Sequence, residues 1–275
     1  MMIKESEKRE IINSKNSISF IVLLVFVVMA VTSINSCGYL GIFGEASWKE
    51  EVLLHDGSKI IVKRWQKHGG RHSLGDRPPL QEYTLKFKLP HTDETIVWKD
   101  GPTEDIDYKN FDVRALHIKN NIPYLITSTY GCLAYNKWGR PNPPYVIFKY
   151  EGKEWKRITL AELPIEFKDI NLVGDTINDE KKLVALGLVS AARVNEFNKD
   201  YTQKEYKTIV RTPIKKEGPE GCLEMIYSGN GRWMGLDFFT RKSNHEECMA
   251  VCIRFSFKKE YCPCDNLFKR NIKEK

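Results

Sequence analysis

Between Glu51 and Ile158 one pattern recurs four times: two short apolar or alternating stretches on either side of a turn. Glu51–Leu54 and Lys59–Arg64 flank Asp56-Gly57, a pair that accepts the positive φ of a tight hairpin turn. Tyr83–Leu89 alternates at period two, as a half-buried strand does, and pairs with Thr95–Trp98. Asp112–Ile118 and Pro123–Ser128 are joined through Asn120-Asn121, residues that tolerate left-handed geometry. Tyr145–Tyr150 and Trp155–Ile158 close over Glu151–Glu154. A chain of this kind is mainly β, its antiparallel hairpins forming an open sheet, a sandwich or a propeller-like array. A closed propeller needs more strands than these, so the open sheet or sandwich is preferred.

The pattern changes after residue 178. Asn178 or Asp179 is placed to cap a short helix through Leu186, with Gly187 as its stop, and Ser190 to cap a second over Ala191–Asn198. We read a small helical pair near 179–198, packed on one sheet face, and a further turn near Glu205–Val210. From Glu217 the β pattern returns, with Cys222–Tyr227 and Gly235–Phe239 as strands around Ser228–Gly231 and a last strand over Met249–Phe257.

Ahead of this body, Phe20–Val31 is an uninterrupted run of 12 apolar residues. That is too short for a spanning helix and suits the core of a signal peptide. Lys4, Lys8, Arg9 and Lys15 precede it and favour retention of that end in the cytoplasm. Ile34-Asn35-Ser36-Cys37 then resembles the lipobox of bacterial lipoproteins, whose cysteine is diacylated and becomes the new N-terminus. The resemblance covers residues 1–38 alone. It implies a signal peptide over 1–36 and a lipid on Cys37. It also implies a bacterial envelope location facing the periplasm, the outer membrane favoured over the inner, with the membrane as partner through the lipid. From the residues themselves, Gly38, Gly41 and Gly44 mark a tether over 37–47, and the hairpin pattern makes the rest a single β-rich domain over 48–275 with a cysteine-rich part over 217–275.

Loss of residues 1–36 removes four basic and three acidic side chains, taking the net charge from +7 to +6. The basic residues cluster at Lys63-Arg64, Lys67 and Arg71 and again at Lys258-Lys259 and Lys269-Arg270, but a charge so mild reads as a solvated surface. A nucleic-acid patch needs aromatic interleaving and a basic face, export argues against it, and no nucleic-acid partner is expected.

Six cysteines follow Cys37: Cys132, Cys222, Cys248, Cys252, Cys262 and Cys264. An even number clustered in an exported domain argues for disulfides. Cys252 with Cys262, and Cys222 with Cys248, are the pairs that would close consecutive hairpins. The rival is a metal site built from Cys248, Cys252, Cys262 and Cys264, whose gaps of three and one residues are not the two that zinc sites favour. No metal and no cofactor are expected.

Two loops supply candidate ligand contacts. The first, Gln66–Pro79, is rich in Gly and Pro and carries His68, Arg71, His72, Asp76 and Arg77. The spacing of His68 and His72 would put them on one helix face, but Gly69-Gly70 argues for a loop with exposed histidines. The second, Asn136–Pro144, carries Trp138 and Arg140 beside Tyr135, an aromatic and polar set of the kind used for sugar or peptide recognition. No nucleophile elbow, phosphate loop or dinucleotide fingerprint occurs. The expectation is a lipid-anchored binding or structural module with an envelope protein or glycan as partner. The alternative is a hydrolase or glycan-acting enzyme on a β scaffold, using acids and the two loops, with Asp76 and His72 beside a second acid. Glu104, Asp105 and Asp107 could also act in pairs, though acids on a turn are usually just solvated.

Overall fold

The computed structural model describes residues 44–214 and 221–269. The expectations for the signal peptide and for Cys37 lie outside the described residues, as do residues 215–220 and 270–275 of the domain expected over 48–275.

Two β-sheets packed face to face form the body. The first has strand order β4-β3-β2-β1-β9, from β1 (Glu45–Leu53), β2 (Lys59–His68), β3 (Leu80–Lys88), β4 (Thr95–Asp100) and β9 (Leu188–Val189). The second has the order β5-β6-β7-β8, from β5 (Phe111–Lys119), β6 (Ile122–Thr129), β7 (Val146–Glu151) and β8 (Glu154–Ile158). Neither closes into a barrel, so of the three arrangements expected from the hairpins the chain adopts the sandwich. β1 begins at Glu45, inside the stretch expected as tether.

The four hairpin turns follow their local chemistry. Leu54 N donates to Ser58 O at 2.8 Å while Asp56 Oδ1 accepts from Ser58 N at 2.9 Å, and Gly57 takes φ +85°. Asn120 and Asn121 sit at φ 52° and 58°, the paired left-handed geometry of a type I′ turn.

The core between the sheets comes from alternating positions. Val52, Val62, Leu85, Phe87, Ile96 and Trp98 face Phe111, Val113, Leu116, Leu125 and Phe148. The second sheet is buried on its other face too. Ala115, Tyr124, Ile126 and Ile147 pack there against Leu163, Phe167, Ile170 and Ile209 from the segments that follow. Burial on both faces explains why β5 and β6 are more continuously apolar than β1 or β2.

The expected helical pair is present as α2 (Glu180–Leu186) and α3 (Ala191–Asn198), preceded in the chain by α1 (Gly131–Lys137). Gly187 at φ 64° ends α2 and turns the chain into β9, which pairs in parallel with β1 through Lys49 and Glu50. Leu183, Val189 and Val194 close over Trp48 and Val173. The further turn is a 3-10 turn at Lys204–Tyr206.

The C-terminal part departs most from expectation. Among its described residues only Met225–Tyr227 (β10) and Trp233–Gly235 (β11) are strands, and Asp237–Thr240 (α4) is helical where a strand was expected. Met249 onwards belongs to a helix, α5 (His245–Arg254). Asn244 explains the difference: its side chain caps the helix by accepting from Glu247 N at 2.9 Å, and Glu246 and Glu247 lie in the favourable first turn. The chain then enters α6 (Cys264–Lys269). The loop expected from Asn136 begins two residues later, because Asn136 and Lys137 complete α1.

Three disulfides hold these parts. Cys252 is bonded to Cys262, as expected. The pairing of Cys222 with Cys248 is corrected: Cys222 is bonded to Cys132, 90 residues away, and Cys248 to Cys264. A long-range bridge of this kind staples the cysteine-rich part onto the sandwich, where a hairpin bridge would have tied it only to itself.

Candidate functional site

The loop after β2 is latched to the helical pair. His68 Nε2 lies 2.6 Å from Glu180 Oε2, and His68 Nδ1 lies 3.0 Å from Pro78 O. Arg77 donates to Glu180 Oε1 at 2.5 Å and to Ile177 O at 2.6 Å, and Gln66 also donates to Glu180. Burial alone would raise the Glu180 carboxyl, but hydrogen bonds from His68 and Gln66 and the charge of Arg77 hold it below the ordinary carboxylate range. His68 is therefore not an exposed loop histidine: its side chain is only 7% accessible. Arg71, His72 and Asp76 remain exposed at the loop tip, and His72 Nδ1 meets only Gly70 O, at 3.0 Å.

The Trp138 loop is a dock for the C-terminal part. Tyr135 is buried under Arg140, whose guanidinium lies 4.9 Å from the ring centroid. Arg140 donates to Cys222 O at 2.9 Å and to Leu223 O at 3.3 Å. Asn136 Nδ2 donates to Leu223 O, and Met225 N donates to Asn136 Oδ1, both at 2.9 Å. Trp138 packs on Phe111 with centroids 4.8 Å apart, and its indole N–H reaches Asn110 Oδ1 at 3.3 Å. With the Cys132–Cys222 bridge beside them, these groups fix β10 against α1.

That junction forms a groove of about 420 Å³ lined by Glu104, Asp105, Lys137, Tyr227, Trp233 and Tyr261, among others. Tyr227 and Trp233 are cross-strand partners in the β10–β11 hairpin, with ring centroids 5.4 Å apart. Tyr261 meets Tyr227 edge-on at 5.3 Å and is 42% exposed. The Trp233 indole N–H donates to Asp105 O at 2.9 Å, so the ring is held by its polar edge. Lys137 Nζ lies 2.7 Å from Asp105 Oδ1 and donates to Thr103 Oγ1 at 2.8 Å. Burial pushes the Asp105 carboxyl up, but hydrogen bonds from Lys137 and Thr103 outweigh it and the group sits below the usual range. The groove is thus lined by three aromatic rings and a fixed charged pair.

A second cleft, of about 510 Å³, lies beside α3 and is lined by Leu53, Lys59, Asn171 and Asn195. Its Asn171 is already committed, donating to Leu53 O at 2.9 Å and Leu116 O at 2.8 Å and accepting from Leu116 N at 2.9 Å. It offers no aromatic wall, and we place the candidate site at the groove.

Beneath these surfaces runs a chain of buried charges. Glu50 Oε1 accepts from Arg64 and from the Trp48 indole, both at 2.7 Å, and Glu50 Oε2 accepts from Val173 N at 3.0 Å. Arg64 also donates to Tyr83 Oη and to Val173 O. Lys109 continues the series, pairing with Asp112 at 2.6 Å and lying 5.8 Å from the Tyr83 ring centroid. Arg114 then bonds Ser128 at 2.8 Å and Tyr201 at 3.1 Å. Every donor here has a partner inside the protein, so the network fixes the sandwich and does not face a ligand.

Sequence reasoning missed Tyr227, Trp233, Tyr261 and Lys137 as groove residues, although it had considered Glu104 and Asp105. The signal present was the spacing of Tyr227 and Trp233 around Ser228–Gly231, which sets two aromatics opposite one another once the turn forms. Compared with family models, curated proteins and solved structures, the chain matches none.

Proposed function

We propose that this chain is a lipid-anchored bacterial envelope protein whose body is a binding module, and that the Tyr227–Trp233–Tyr261 groove receives a glycan of the envelope. The observation that carries the reading is the lining of one groove by three aromatic rings together with the Lys137–Asp105 pair. Sugar rings present apolar C–H faces to aromatic side chains and hydroxyls to charged ones, and this groove offers both. Three disulfides are what an oxidising compartment permits, and the Ile34–Cys37 resemblance supplies the anchor.

Binding is favoured over hydrolysis by the groove's acids. Glu104 and Asp105 are adjacent on one turn, and Asp105 is neutralised by Lys137. A glycosidase needs two carboxyl groups facing each other across the scissile bond. Titration of the oxidised protein with soluble peptidoglycan fragments and short oligosaccharides, followed by intrinsic tryptophan fluorescence, tests the proposal. Saturable binding that weakens at least tenfold in Trp233→Ala and in Tyr227→Ala supports it. Absence of saturation with every glycan, or binding indifferent to both substitutions, refutes it. Release of reducing sugar from peptidoglycan would move the assignment to the hydrolase.

A further inference from the structure

Four cysteines occupy one small volume at the C-terminal end. α5 carries Cys248 and Cys252 four residues apart, so both sulfurs leave the same face of the helix. Cys262-Pro263-Cys264 crosses that face as the chain enters α6 and delivers the other two. The bridges Cys248–Cys264 and Cys252–Cys262 consequently run side by side. The sulfurs of Cys252 and Cys264, which belong to different bridges, are 3.8 Å apart. Those of Cys252, Cys262 and Cys264 all lie within 4.8 Å of one another. Cys248, Cys252 and Cys264 are buried against Phe239, at 0%, 3% and 0% exposure.

We propose that these four sulfurs are a convertible centre: two disulfides when oxidised, and a tetrathiolate site for a soft divalent cation of the zinc class when reduced. A tetrahedral zinc site with Zn–S bonds of about 2.3 Å has sulfur–sulfur edges of about 3.8 Å, the separation already present between the Cys252 and Cys264 sulfurs. The site takes two ligands from each of two facing elements, and the i,i+4 pair on α5 replaces the two-residue gap usual in loops. Once the bonds are cut, the Cys252, Cys262 and Cys264 sulfurs start within 4.8 Å of one another, and Cys248, bonded to Cys264 but farther from the rest, has the longest way to swing. Side-chain rotation about χ1 moves a sulfur without displacing the helix.

The conversion balances as follows. Each disulfide takes two electrons and two protons from one equivalent of a dithiol reductant, which leaves as its own disulfide. The cation then displaces four thiol protons, and the tetrathiolate complex carries a net charge of −2. The inference does not rest on the glycan reading and survives its failure.

Reduction of the native protein by a dithiol in the presence of Co²⁺ or Zn²⁺, followed by gel filtration, tests it by elemental analysis, absorption and alkylation mapping. About one metal per chain is expected, with the intense near-ultraviolet sulfur-to-cobalt bands of a tetrathiolate. Bound metal should shield Cys248, Cys252, Cys262 and Cys264 from alkylation while Cys132 and Cys222 react. The oxidised protein should retain no metal, and Cys132→Ser/Cys222→Ser should retain it after reduction. The proposal is overturned by a reduced protein that leaves the column without metal. It is equally overturned if Cys252→Ser/Cys262→Ser keeps the cobalt bands, or if the shielded cysteines are not these four.

Discussion

Replacement of Glu50 by leucine should be among the most damaging single substitutions in the sandwich. Glu50 is fully buried and its partner Arg64 is 1% exposed. Removal of the carboxylate strands the guanidinium without a counter-charge, a loss worth about 3–5 kcal/mol for a buried pair. The Trp48 indole and the Val173 amide lose their acceptors as well. A stranded buried donor costs about 1–3 kcal/mol, but these terms share one cavity and overlap, so a total of about 4–6 kcal/mol is expected. Arg64→Met in the same chain removes the uncompensated charge, and Glu50→Leu/Arg64→Met should recover about 2 kcal/mol or more. Denaturant unfolding with the disulfides intact, followed by tryptophan fluorescence, measures both. Glu50→Gln, which keeps the shape and one acceptor, serves where the leucine variant is too unstable to purify. A cost below about 1 kcal/mol for Glu50→Leu, or a double variant that is merely the sum of the singles, would refute the reasoning.

Two further outcomes follow from the same interior. Burial raises the Asp100 carboxyl to about 6, against the pull of the Asn110 and Phe111 amides that it accepts. A carboxyl raised on folding stabilises the protein below its unfolded pKa and loses that contribution as pH rises through the folded one. Stability should therefore fall between pH about 4 and about 6, by at most about 3 kcal/mol from this group. Asp100→Asn should flatten that part of the profile in thermal melts. Cys132→Ser/Cys222→Ser opens a loop of 90 residues' separation and should cost about 2–4 kcal/mol. Because this bridge seats β10 beside α1, the variant should also weaken ligand binding in the groove under conditions where it is still folded.

The hairpins were legible because their turns are decided locally. Asp56-Gly57 and Asn120-Asn121 carry the required positive φ in residues that adopt it, whatever surrounds them. The helical pair was legible through Gly187, whose φ of 64° ends the first helix; Asp179 and Ser190 stand at the N-caps as expected, but neither side chain makes a capping hydrogen bond. α5 was not, because Met249, Val251, Ile253, Phe255 and Phe257 alternate as a strand would. The helical period there is carried by Cys248 and Cys252, whose burial follows from their bridges and not from apolar patterning. The charge network left a trace in residue parity. Glu50 falls on the same strand face as Trp48 and Val52, and Arg64 on that of Val62, so polar residues sit where burial was already implied. Their pairing across 14 residues needed the fold. The groove was least legible: it joins residues 104–105, 137, 227–233 and 261 through a bridge between Cys132 and Cys222 that spacing alone does not select.

The most direct test of the account as a whole is the intact mass of the protein extracted from the membranes of a bacterium producing the full chain. The account predicts a polypeptide beginning at Cys37, carrying a diacylglyceryl group on that sulfur, and lighter by the six hydrogens of three disulfides among the other cysteines. A chain that retains Met1 and the apolar run, or one that leaves the cell with Cys37 unmodified, contradicts the anchor. A mass showing the six downstream cysteines as free thiols contradicts the exported, oxidised body on which the groove depends.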